Sequence, residues 1–215
     1  MTDLALRENV LGELEFEPSL NAAHIGVAVE KGVVTLSGHV GSYAEKLAAE
    51  RVVQRVKGVR AIAQEIEVRL PSDKKTNDDE IAQRALSVIS WDTTIPDDRL
   101  RIKVQDGWIT LAGEVEWYFQ RQAAEAAVRK LSGVAGVIDL IVVRPRVEAT
   151  DVKHRIENAL LRNAELEAGQ IRVEVSGGRV KLEGKVKAWH ERDVAKRAAW
   201  AVPGVTAVED HLAIA

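Results

Sequence analysis

Three times the chain writes a short strand between two glycines: GVVTLSG at 32–38, GWITLAG at 107–113 and GRVKLEG at 178–184. A shift of 75 lays the first stretch on the second, and a shift of 71 lays the second on the third, with no gap inside a copy. The residues identical in all three are Val29/Val104/Val175, Gly32/Gly107/Gly178, Leu36/Leu111/Leu182, Gly38/Gly113/Gly184, Val40/Val115/Val186, Ala49/Ala124/Ala195, Gly58/Gly133/Gly204 and Val59/Val134/Val205. Self-similarity at a fixed spacing decides the architecture. The 215 residues divide into modules at 1–70, 77–145 and 149–215. The joints PSDKKTN (71–77) and PRVEA (145–149) are short, polar and marked by proline.

Each module reads the same way. Leu6, Val10 and Leu14 share one helical face, as do Ile81, Ala85 and Ile89, and then Val152, Ile156 and Leu160. Asn77 or Asp78, and Thr150, stand where an N-cap belongs. Alternation follows in Ile25, Val27 and Val29, in Leu100, Ile102 and Val104, and in Ile171, Val173 and Val175, which predicts a strand with one buried face. Gly32, Gly107 and Gly178 fall at a tight hairpin turn. A second strand buries Val34, Leu36 and Val40 and their counterparts; Gly38, Gly113 and Gly184 on it would let a helix approach closely. A second helix ends at Gly58, Gly133 or Gly204. The last strand buries Ile62, Ile66 and Val68, then Val137, Ile141 and Val143, then Val208, Leu212 and Ile214. The expected fold is α+β: three tandem αββαβ modules, each a three-stranded mixed sheet with two helices on one face. A module of about 70 residues buries only about 60% of its surface, so three joined modules should lean on one another.

The GxVxLxGxV strand, followed about twenty residues later by GV and a closing V/I-x-x-x-I/L-x-V, resembles the BON domain, and the resemblance covers nearly the whole chain three times. It implies an αββαβ fold, no enzymatic activity, and a role in osmotic or envelope stress that includes contact with phospholipid. An alternative within the same resemblance is a cytoplasmic ion sensor or protein scaffold with no membrane contact.

The residues themselves offer little chemistry. There is no cysteine, so no disulfide, thiolate site or cysteine nucleophile exists. His24, His39, His154, His190 and His211 show no metal-ligand spacing, and His39, aligned with Glu114 and Lys185, reads as a solvated surface residue. No phosphate loop and no recurrent catalytic arrangement appears, so neither metal nor cofactor is expected. The acids of NDDE (77–80) suit a helix N-terminus, and PDDR (96–99) reads as a turn. A net charge of −3 gives no global attraction to nucleic acid, which is not expected as a partner. An acidic N-terminal stretch and the lack of a long apolar run point to a cytoplasmic protein with no transmembrane segment.

Differences between modules are more informative than their identities. The sheet face turned away from the helices is charged in the third module: Arg172, Glu174, Arg179, Lys181, Glu183 and Lys185. In the first it is small, with Gly26, Ala28, Val33, Thr35 and Ser37. In the middle module an apolar centre of Trp108, Ala112, Leu140 and Val142 lies under a basic rim of Arg99, Arg101, Lys103 and Arg144. Such a patch marks a contact site. It is read as packing against another module, such as the first, or against a second chain; as a surface for anionic phospholipid; or as a nucleic-acid platform. A second cluster is EWYFQR (116–121). Tyr118 aligns with Tyr43 and Trp189 and reads as a packing element of every module, whereas Trp117 and Phe119 are peculiar to the middle one and read as a wedge between domains, with a membrane anchor as the alternative. Trp200 should face the core or a neighbour.

Overall fold

A computed structural model describes residues 2–71, 76–145, 151–163 and 168–214. The residues group into two compact units, Met1–Asp92 with Ile102–Leu111 and Glu125–Asp139, and Thr93–Arg101 with Ala112–Ala124 and Leu140–Ala215. Across them runs the expected α+β fold in three modules, with three sheets in the strand orders β1-β2-β3, β4-β5-β6 and β7-β8-β9.

In the first unit, α1 (Asp3–Phe16) buries Leu6, Val10 and Leu14, and the Thr2 hydroxyl accepts from the Ala5 N–H at 3.3 Å. A 3-10 turn (Ala22–His24) leads into β1 (Ile25–Glu30), which pairs antiparallel with β2 (Val33–Val40). The helix α2 (Tyr43–Arg55) then returns the chain so that β3 (Ala61–Val68) lies parallel to β2. A parallel neighbour needs such a crossover, whereas the hairpin needs only two residues. Helix α3 (Asp78–Trp91) repeats the pattern of α1 with Ile81, Ala85 and Ile89 buried.

The middle sheet is built from β4 (Leu100–Gln105), β5 (Trp108–Val115) and β6 (Gly136–Val143), with α4 (Tyr118–Val128) between the last two in sequence. In the second unit, α5 (Val152–Leu161), β7 (Ile171–Ser176), β8 (Arg179–Val186), α6 (Trp189–Trp200) and β9 (Ala207–Ile214) complete the third module, again with an antiparallel and a parallel pairing. Its core joins Val152, Ile156 and Leu160 of α5 to Val173, Val180, Leu182 and Leu212 of the sheet and to Ala195 and Ala199 of α6. In each last strand only the middle expected residue, Ile66, Ile141 or Leu212, is buried to the same depth in all three modules.

The repeated glycines answer to geometry. Both residues of each hairpin turn have positive φ: Lys31 at 51° and Gly32 at 79°, Asp106 at 52° and Gly107 at 75°, Gly177 at 54° and Gly178 at 81°. Positive φ at both positions is the twist-matched turn for a two-residue hairpin. The turn also lies against the glycine that ends the following helix: a Cβ on Gly107 would stand 2.8 Å from the Gly133 carbonyl oxygen, and one on Gly178 would stand 2.6 Å from that of Gly204. The glycine on the second strand has a different reason from the expected helix approach. Gly38, Gly113 and Gly184 have φ of 105°, 139° and 131°, and a Cβ there would collide with the carbonyl oxygen of His24, Arg99 or Gln170. What comes close is the backbone entering the neighbouring strand.

Asn77 is the N-cap of α3, one of the two expected positions, but its side chain makes no cap bond. Asp78 turns its carboxylate to the hairpin and accepts from the N–H groups of Asp106 and Gly107 at 2.7 and 2.9 Å. Asp3 does the same for Lys31 and Gly32 at 2.7 and 3.1 Å. An acid in the first turn thus locks the hairpin as well as meeting the helix dipole. Thr150 lies outside the described residues, and the N-cap of α5 is Asp151, in the left-handed region at φ 60°.

Candidate contact surfaces and an aromatic cleft

On the outer face of the middle sheet the apolar side chains are exposed: Trp108, Ile138, Leu140 and Val142 are 47, 44, 58 and 49% accessible. Ala112, on the same strand as Trp108, is half-buried. Trp108 lies over Gly136, where an added Cβ would come within 2.6 Å of the ring, so the missing side chain makes the seat for the indole. Ile138 belongs to the strip although the candidate residues omit it; the alternation Ile138, Leu140, Val142 along β6 carries the signal.

The rim is basic but unevenly paired. Arg99 donates to Glu116 at 2.9 Å, and Arg144 meets Glu114 at 3.1 Å. Arg101 and Lys103 are exposed and carry no ion-pair partner among the described residues. These two cations remain available to an anion. On the third sheet the same face is closed by its own charges. Arg179 bonds Glu209 at 2.8 Å and Lys181 pairs with Glu183. Those bonds hold both carboxyls below the usual carboxylate range, with the Lys181 hydrogen bond the main cause for Glu183 and the Arg179 bond for Glu209.

EWYFQR is shaped by the cap of α4. The Gln120 side-chain oxygen accepts from the N–H groups of Glu116 and Trp117 at 3.1 and 3.0 Å. Glu45 and Glu191 hold the aligned positions and likewise bond at their helix starts, with Ser42 Oγ at 3.0 Å and the Lys187 N–H at 2.8 Å. This reach-back cap fixes the entry of the helix. Tyr118, at the shared aromatic position, stacks on Trp200 with centroids 4.4 Å apart and planes 7° from parallel. Trp200 therefore faces a neighbour, as expected. Trp117 and Phe119 line a cleft together with this stack, at 38 and 52% exposure. The four aromatics, with Gln122, Arg197 and Ala201, line a cleft of about 410 Å³. In the first unit Tyr43 takes the aligned role: burial pushes its phenol up, with Glu125 adding to the effect and a backbone hydrogen bond at Val137 opposing it.

Some features escaped sequence reading. His39 is not simply solvated, because the register that pairs Ile25 with Gly38 brings His24 beside it, and the two rings stack at 4.7 Å. Phe16 and Trp91, both 84% exposed, end α1 and α3 and are related by the shift of 75. Lys46, Arg121 and Arg192 align, as do Gln64, Asp139 and Asp210; in the third module Arg192 bonds Asp210 at 2.9 Å beneath the cation–π contact of Arg192 with Trp189 at 4.9 Å. Among the described residues no group of three or more His, Asp or Glu side chains is placed to hold a metal ion, and no helix is long and apolar enough to cross a membrane.

The comparisons agree with the repeat. The chain is 26% identical to osmotically-inducible protein Y of Escherichia coli (strain K12) over 141 residues, 64% of this chain and 70% of that protein. Among solved structures it is similar to CdsD, a structural protein of the type III secretion system of Chlamydia trachomatis, at 14% identity over 100% of this chain and 93% of that one with a TM-score of 0.27. The C-terminal domain of CdsD gives 13% identity, full coverage of both chains and a TM-score of 0.28. Scores this low carry no argument. The BON domain model matches at residues 2–69, 77–145 and 149–215, and the chain belongs to the BON domain family.

Proposed function

We propose that this chain is a non-enzymatic binding protein of the osmotic stress response, made of three BON modules at 1–70, 77–145 and 149–215. Its working surface is the outer face of the middle sheet, and the ligand is the anionic phospholipid headgroup layer. The observation that carries this reading is the exposure of Trp108, Ile138, Leu140 and Val142 on the outward side of the middle sheet's strands, together with Arg101 and Lys103, exposed and without an ion-pair partner among the described residues. An indole and aliphatic side chains suit the headgroup boundary, and each basic side chain near an anionic surface contributes about 1 kcal/mol. The role in osmotic stress is supported by the likeness to osmotically-inducible protein Y. A cytoplasmic location belongs to the reading and is tested by cell fractionation.

Vesicle co-sedimentation is the test. Phosphatidylglycerol vesicles at low salt should pellet the protein, phosphatidylcholine vesicles should not, and Trp108→Ala with Arg101→Glu should abolish pelleting. Failure to pellet with any anionic vesicle removes the lipid reading. A second reading, a second chain docked on the same strip, rests on its apolar centre. It predicts a dimer by analytical ultracentrifugation that Leu140→Glu dissociates.

A further inference from the structure

The geometry points to a small-molecule site in the cleft beside the Tyr118–Trp200 stack, one that takes a planar aromatic anion. This site is separate from the outer sheet face and does not depend on the lipid reading. Four of the nine aromatic residues of the chain, Trp117, Tyr118, Phe119 and Trp200, meet here. Trp117 and Phe119 would be better buried were packing their only role, yet they stand 38 and 52% exposed. A volume of about 410 Å³ falls in the range of ligand pockets, and the mix of apolar walls with a few polar groups is typical of them.

The polar groups choose the ligand. Arg197 and Gln122 line the cleft and no carboxylate does. The guanidinium Nε of Arg197 donates to the Asp193 carbonyl at 3.4 Å, which leaves its terminal nitrogens to meet an anion. The parallel rings of Tyr118 and Trp200 in the lining favour a flat ligand, because offset stacking adds to simple burial.

The equivalent cleft of the first unit makes the contrast. There Ser42, Tyr43 and Ala44 hold the positions of Trp117, Tyr118 and Phe119, and Arg129 holds that of Trp200. Tyr43 alone keeps the aromatic contact position, so the three added rings are not required to join modules. Trp200 also packs against the core of the third module, whereas Trp117 and Phe119 stand largely exposed in the cleft that Arg197 lines.

The probes are 1-anilinonaphthalene-8-sulfonate and its uncharged relative N-phenyl-1-naphthylamine, titrated into the full chain by fluorescence. One sulfonate should bind per chain, more tightly than the neutral amine. Phe119→Ala, at an exposed ring, should weaken both probes roughly tenfold, the equivalent of about 1.4 kcal/mol. Arg197→Met should remove the preference for the sulfonate while leaving the neutral probe unchanged. Trp108→Ala, on the outer sheet face, should alter neither. Equal binding of both probes to the unmodified chain, or loss through Trp108→Ala without loss through Phe119→Ala, overturns the site. The lipid reading stands or falls on vesicles alone, so the two failures are distinguishable.

Discussion

Where the middle sheet carries Trp108, Thr110, Ala112 and Ile138, the third carries Arg179, Lys181, Glu183 and Glu209 at the same positions of the same fold. The third sheet satisfies its charges internally through Arg179–Glu209 and Lys181–Glu183. The middle sheet leaves an indole, three aliphatic side chains and two cations facing solvent. One backbone thus supports a closed face and an open one, and the choice is made by outward residues that the core does not constrain. Family membership fixes the scaffold, and function has to be read from what differs between modules.

The largest expected effect falls on what the two modules share. Gly113→Ala and Gly184→Ala each force a Cβ into a carbonyl oxygen at a positive φ, and each should cost about 2–4 kcal/mol by chemical denaturation. A negligible loss at either would show that the shared glycine does not have the same task in both.

Next in size is a change that only the middle sheet should feel. Gly136→Ala takes the seat of the Trp108 ring and should cost roughly 1–3 kcal/mol. Its counterpart in the third module is already Ala207, with no indole above it.

How far the sequence could be read follows the same division. Period-2 and four-residue spacings located every strand and the buried residues of α1, α3 and α5, because burial of one face imposes them. The outer strip was legible in Trp108, Leu140 and Val142, since apolar residues at outward positions break the alternation. The seat at Gly136, the stack of Tyr118 on Trp200 and the pair His24–His39 were not legible, because each depends on which strand or helix end meets which in space. The second-strand glycine was located but misassigned: sequence gives its position on a strand and not the sign of its φ.

A smaller effect should come from replacing Ile138, Leu140 and Val142 together by threonine. Surface changes of this kind usually stay within about 0.5 kcal/mol, and threonine keeps strand propensity. Thermal unfolding should barely move while vesicle binding is lost. A large loss of stability would mean that the strip is part of the core instead.

The smallest effect is an acid response that the third sheet has and the middle sheet lacks. Glu183 and Glu209 are held below the usual carboxylate range in the folded chain, chiefly by their bonds to Lys181 and Arg179. A depressed folded value contributes stability above the usual carboxylate range, and that contribution is lost as pH falls through the folded values. Carboxyl-carbon NMR should show both titrating late on acidification, and Lys181→Met should return Glu183 toward the ordinary range. The middle sheet, with Ala112 and Ile138 at those positions, has no such contribution.

A chain without cysteine allows the contrast itself to be measured. Leu140→Cys on the middle sheet and His211→Cys at the same position of the third can each be labelled with one environment-sensitive fluorophore. With phosphatidylglycerol vesicles at low salt, the label at 140 should shift to the blue and the label at 211 should not. Equal shifts at both positions, or a shift at 211 alone, would contradict the assignment of the open middle face as the working surface.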